Sequence, residues 1–140
     1  MSGQYQKNAI AIDFSELSLK AFERAINVAN NYGATLLLVH VVDTKSFGSI
    51  AAYDLDFAEK LMKESNTKLE ELKSKAEQAG VSKVEVVVKE GSSKKILIEL
   101  PDVDLIVCGA MGTNQIEKMF IGSVAERIAR LAPCEVLIVR

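Results

Sequence analysis

Five short runs of apolar, mostly β-branched residues recur along the chain: NAIAID at 8–13, TLLLVHVV at 35–42, VEVVV at 84–88, DLIVCG at 104–109 and EVLIV at 135–139. They are continuous rather than alternating, as expected of strands covered on both faces. A helical pattern separates each run from the next. Strict alternation of this kind leaves few folds open, because it calls for a parallel sheet with right-handed crossovers and helices on both faces.

The helices can be placed from spacing and punctuation. Ala21, Phe22, Ala25, Ile26 and Ala29 share one face of a first helix that stops at Gly33, a C-terminal cap. A second runs over 55–79, with Ala58, Leu61, Met62, Ser65, Leu69, Leu72 and Ala76 in a stripe, and ends at Gly80. SKKILIEL forms a short third helix, capped by Ser92 or Ser93 and stopped by Pro101. The fourth starts near Ser123 and ends before Pro133. No linker or repeat interrupts the series, so residues 1–140 are expected to form one domain, a size that can bury a single core.

Charge narrows the function. The formal net charge is −2 and the basic residues are scattered, which disfavours nucleic acid as a partner. The opening MSGQYQKNAIAIDFSE lacks the pattern of a secretory signal, and no apolar run approaches a membrane span; a cytoplasmic protein with no membrane partner is expected. Cys108 and Cys134 read as reduced packing residues. They fall at opposite ends of neighbouring parallel strands, on the order of 15 Å apart at about 3.3 Å per residue, too far for a disulfide.

In open parallel sheets a ligand binds beyond the carboxyl ends of the strands, where the strand order reverses. The stretch in that position here is GAMGTNQIEKMFIGSV, 109–124. Gly109 ends the fourth strand, Gly112 follows closely, and Gly122 and Ser123 begin the last helix. Glycine allows positive φ and close approach of a ligand, and a helix amino terminus offers free N–H groups to an anion. The segment reads as a phosphate cradle made largely of main chain. Spacing alone leaves a second reading open, in which the glycines serve only a turn and a cap. Neither G-x-x-x-x-G-K-S/T nor a G-x-G-x-x-G opening the first helix is present.

GAMGTNQIEKMFIGS also matches G-x2-G-x9-G-S/T, and on this motif the chain resembles the ATP-binding branch of the universal stress protein family. The resemblance extends to AIDFSELS, LLLVHVVD, DLIVCGAMG and APCEVLIVR, and so to nearly the whole length. It implies a Rossmann-like fold of the adenine nucleotide alpha hydrolase type, with five parallel strands in the order 3-2-1-4-5. It also implies ATP as ligand, with Mg2+ or Mn2+. Asp13 would lie near the nucleoside, Val41 would meet the adenine through its backbone, and Gly109 would lie by the ribose. Gly112, Thr113, Gly122, Ser123 and the Val124 amide would hold the phosphates. One departure stands out: many relatives carry Ser followed by Arg or His where this chain has Ala110 and Met111. The family also suggests a homodimer through the edge strand 135–139.

Each candidate has a plainer reading beside it. Asp13 could accept hydrogen bonds from a ribose or reach Mg2+ through its water, and could equally cap the first turn through DFSE. His40, the single histidine, sits in an apolar strand without a nearby carboxylate or nucleophile in the pattern, and reads as a packed residue rather than a base. Ser123 suits both a phosphate and an N-cap. The run DTKSFGSIAAYD, 43–54, reads as a lid or as an ordinary connection. No water-activating base or arginine finger stands out, which points to ATP held with little or no hydrolysis. The expected protein is therefore a nucleotide-dependent regulator in stress response with an unidentified protein partner. A slow ATPase, and a non-catalytic scaffold that binds AMP, a cyclic nucleotide or nothing, are the alternatives.

Overall fold

The structure is a computed structural model describing residues 5–42, 55–110 and 122–140. In chain order it comprises β1 (Lys7–Ala11), α1 (Glu16–Tyr32), β2 (Thr35–Val42), α2 (Leu55–Gln78), β3 (Val84–Glu90), α3 (Ser93–Ile98), β4 (Leu105–Gly109), α4 (Ser123–Leu131) and β5 (Glu135–Val139). The strands form one parallel sheet in the order β3-β2-β1-β4-β5. The expected alternation and strand order are both present.

Strand periodicity divides the apolar residues between two layers. On one face Ile10, Leu36, Leu38 and Val107 pack with Phe22 and Ile26 of α1 and Leu69 of α2. On the other, Ala9, Leu37, Val39 and Ile106 pack with Leu97 of α3 and Ile128 of α4. Both faces of the sheet are therefore covered, which is why the strands carry no polar alternation.

The ends of the elements follow local chemistry. Gly33 adopts φ 65° and its amide donates to the Ala29 carbonyl, closing α1 in the left-handed conformation that glycine reaches without strain. β1 ends earlier than the apolar run 8–13 suggests. The Ile12 amide still bonds the Val39 carbonyl, at 2.8 Å, but beyond it the chain leaves the sheet to enter α1. α3 is shorter than SKKILIEL, ending at Ile98 with Glu99 as its C-cap. Ser92 is its N-cap, but makes no side-chain capping bond. Among the described residues no helix is long and apolar enough to cross a membrane.

One central position breaks the apolar rule. Asn8, in the middle of the sheet, is 0% exposed, and neither amide atom of its side chain has a hydrogen-bond partner among the described residues. An unpaired buried polar group costs about 1–3 kcal/mol, a penalty that an apolar side chain of similar size avoids. Asn8→Leu should accordingly raise the unfolding free energy by about 1–2 kcal/mol, seen as a higher urea midpoint at unchanged slope. A lower midpoint would show that the amide is satisfied in solution.

Candidate functional site

The strand order reverses between β1 and β4, which are neighbours although five elements separate them in sequence. The connection after β1 turns back over one face and the connection after β4 over the other, so a crevice opens between them at the carboxyl end of the sheet. A cleft of about 430 Å³ lies there, a volume suited to a small-molecule ligand.

Three kinds of surface meet in this cleft. Ala11, Val39, Val41, Leu97, Cys108 and Ala125 supply an apolar portion. Asp13 comes from the β1–α1 connection and Ser18 from the first turn of α1. Opposite in origin are Gly122, Ser123 and Val124, the start of α4.

The β1–α1 connection is tightly organised. Asp13 Oδ1 accepts from both the amide, at 2.9 Å, and the hydroxyl of Ser15. Ser15 is the N-cap of α1, its hydroxyl oxygen accepting from the Ser18 amide at 3.2 Å. Ser18 in turn donates its hydroxyl to the Ser15 carbonyl and accepts from the Asp13 amide. One carboxylate oxygen of Asp13 therefore serves the helix start, the plainer of its two roles. Between Asp13 and Ser15, Phe14 has φ 64°, in the left-handed region, which costs about 1–2 kcal/mol for a residue with a Cβ.

The β4–α4 side is drawn together by main chain. The Ala110 amide donates to the Val139 carbonyl at 2.8 Å, and the Gly122 amide donates to the Ala110 carbonyl at 2.6 Å. Residues 110 and 122 thus meet, which puts the start of α4 beside the end of β4. Gly122, not Ser123, is the N-cap, and it offers no side-chain capping bond. Ser123 is the first helical residue, so the expectation that it caps the helix is corrected. The first amides of α4 have no intrahelical acceptor, and they carry the positive end of the helix dipole.

The two described motif glycines are not used for positive φ. Gly122 has φ −62°, ordinary extended backbone. Among the described residues the positive-φ glycines are Gly33, Gly80 and Gly91, all outside the motif. At Gly109 the constraint is space: a Cβ there would lie 3.2 Å from Leu17 Cγ and 3.3 Å from the Leu17 carbonyl carbon. The glycine lets the first turn of α1 press against the end of β4, and so narrows the switch point.

Of the residues expected at the site, Asp13, Val41, Gly109, Gly122, Ser123 and Val124 line this one cleft. Gly112, Thr113 and the run 43–54 lie outside the described residues. His40 does not line it; its Nδ1–H donates to the Ile12 carbonyl at 2.7 Å and its ring packs 4.8 Å from that of Phe14. Ser18, Ser93, Leu97 and Cys108 line the cleft without having been singled out for it. Burial pushes the Cys108 thiol up to about 11, leaving it protonated at neutral pH and poorly nucleophilic. Both cysteines are free. Among the described residues no group of three or more His, Cys, Asp or Glu side chains could hold a metal ion.

The sequence pattern of the Universal stress protein family matches residues 4–140. The chain belongs to that family. A protein of Staphylococcus saprophyticus bearing the universal stress protein name is 39% identical over 97% of this chain and 84% of its own length. Among solved structures, the universal stress protein UspA from Lactobacillus plantarum aligns with a TM-score of 0.84 at 26% identity, covering 99% of each chain. A universal stress protein solved in complex with cAMP aligns with a TM-score of 0.73 at 29% identity, again covering 99% of each chain. These universal stress proteins share the five-stranded Rossmann-like architecture described above.

Proposed function

We propose that this universal stress protein belongs to the ATP-binding branch and acts in the cytoplasm as a nucleotide-dependent regulator in stress response, with little or no hydrolysis. The observation that carries the reading is the start of α4, which has no side-chain cap and whose residues Gly122, Ser123 and Val124 line the same cleft as Asp13 and an apolar surface. An anion suits the first and a nucleoside the other two. In the proposed pose the adenine lies by Val41 and the ribose near Asp13 and Gly109. The phosphates meet Gly112, Thr113, Gly122, Ser123 and the Val124 amide. Mg2+ or Mn2+ would be held mainly by phosphate oxygens and water, with Asp13 reaching it through water, which is how a hard cation binds where protein ligands are few.

A second reading has its own support. The neighbour solved with cAMP favours AMP or a cyclic nucleotide as the ligand, the cleft being large enough for either. Calorimetric titration of nucleotide-free protein with ATP, AMP and cAMP, with and without Mg2+, separates the two. Tightest binding of ATP, strengthened by Mg2+ and weakened by Asp13→Ala, is expected; preference for cAMP would transfer the proposal to the second reading. Phosphate release under single-turnover conditions would make the protein a slow ATPase instead of a sensor.

The homodimer is proposed through β5. This strand is a sheet edge, and Val136, Leu137 and Ile138 are only partly buried on it, leaving apolar surface and unpaired backbone groups to be covered. Pairing with a second copy about a two-fold axis would cover both. Val136→Lys should give a folded monomer in light scattering, and a dimer of unchanged mass would exclude this interface.

A further inference from the structure

Phe14 holds an unfavourable backbone conformation at the one corner from which Asp13 enters the cleft. Its φ of 64° is rare for a bulky residue, and such outliers persist only where surrounding structure enforces them. Three contacts enforce it here. The ring packs onto the core layer beneath α1 and α2. It lies 4.8 Å from the His40 ring, tilted by 46°. On α2, the Lys68 ammonium sits 5.1 Å from the ring centroid. His40 is itself fixed by its hydrogen bond to Ile12, two residues before Phe14.

The ring and the carboxylate occupy different sides of this corner. Phe14 is anchored in the layer that contains α1, while Asp13 lines the cleft on which α3 and α4 converge. The turn between them also aligns Asp13 Oδ1 with the Ser15 amide and hydroxyl. We infer that Phe14 is a positioning residue: its half-buried ring, packed against the core, locks the left-handed corner, and the corner aims the Asp13 carboxylate into the cleft. His40 then has a role as the ring's support, which accounts for a lone histidine that takes no part in lining the site. As far as the ligand is concerned, this inference rests on the nucleotide-binding reading; the placement of Asp13 itself does not.

The experiment compares Phe14→Ala with Phe14→Gly. Both remove the ring, but only glycine adopts positive φ without strain, so only glycine should keep the corner unaided. In the nucleotide-free protein the readout is the Ser15 amide, by its NMR chemical shift and its protection from hydrogen exchange as donor to Asp13. The glycine variant should keep the wild-type shift and most of the protection, and the alanine variant should lose both. If the two variants behave alike, whether both keep the signal or both lose it, the inference is overturned. Should the alanine variant not fold, Phe14→Val, which keeps some apolar bulk but lacks the ring and, being β-branched, resists positive φ more strongly, takes its place with the same expected loss. With ATP as the probe, the alanine variant should bind roughly tenfold more weakly and the glycine variant within about twofold of wild type. Wild-type protein that binds no adenine nucleotide would refute the proposed function, while the Ser15 amide would still decide the role of Phe14.

Discussion

Truncating Phe22 to alanine should lower the unfolding free energy by about 3–5 kcal/mol, read as a fall in urea midpoint at unchanged slope. The ring is 1% exposed and belongs to the layer in which α1 meets the strands, so its removal leaves a cavity as well as lost apolar burial. Domains of this kind are stable by only about 5–15 kcal/mol, which makes one side chain a large share of the whole. The effect reaches the cleft because α1 carries the Ser15 cap beside Asp13 and the Leu17 contact at Gly109. A loss below about 1 kcal/mol would mean that the layer collapses around the missing ring, and that α1 is less rigidly seated than its packing implies.

Ser123→Pro should separate the fold from the ligand. Proline suits the first position of a helix, where the N–H has no intrahelical partner, and it requires extended backbone in the residue before it. Gly122, with φ −62° and ψ 158°, already meets that requirement, and Ser123 is exposed. Stability should therefore change by less than about 0.5 kcal/mol. The substitution nevertheless deletes a hydroxyl and an amide that the proposed pose directs at phosphate, where a hydrogen bond to a charged group is worth about 1.5–3 kcal/mol. ATP affinity should fall roughly 30-fold or more in calorimetric titration, with the thermal midpoint of the free protein unchanged. Undiminished affinity would remove Ser123 from the phosphate site.

The architecture was legible because its cause is short-range. Continuous apolar strands, a stripe such as Leu69, Leu72 and Ala76, and stops at Gly33 and Gly80 each follow from periodicity or backbone chemistry within a few residues. Strand order came from the family resemblance, since local patterns do not say which strand lies beside β1. Once that order is given, right-handed crossovers alone send α1 and α2 to one face and α3 and α4 to the other. The same crossovers bring Leu97 to the cleft along with Ser93, expected as a helix cap, and Cys108, expected as a packed thiol.

The glycines show the opposite limit. Spacing identified Gly109 and Gly122 but suggested conformational freedom, whereas at Gly109 the requirement is contact with Leu17, far away in sequence, and at Gly122 the backbone is ordinary. A sequence shows that a side chain is missing, not which neighbour occupies the space. Phe14 illustrates the same point, since nothing in DFSE marks a left-handed phenylalanine; the strain arises from a core that closes around its ring. Asp13 was read with two roles, and one of its oxygens serves the helix start.

The role proposed for the cleft between β1 and β4 is to hold an adenine nucleotide. Its most direct test is to purify the protein without added nucleotide, denature it, identify what it releases by chromatography and mass spectrometry, and titrate the emptied protein with ATP and Mg2+. ATP in near-stoichiometric amount, with rebinding abolished in a folded Gly122→Val variant, is the predicted result. No released nucleotide and no rebinding of ATP, AMP or cAMP would contradict it, and would leave the glycines a role in the fold alone.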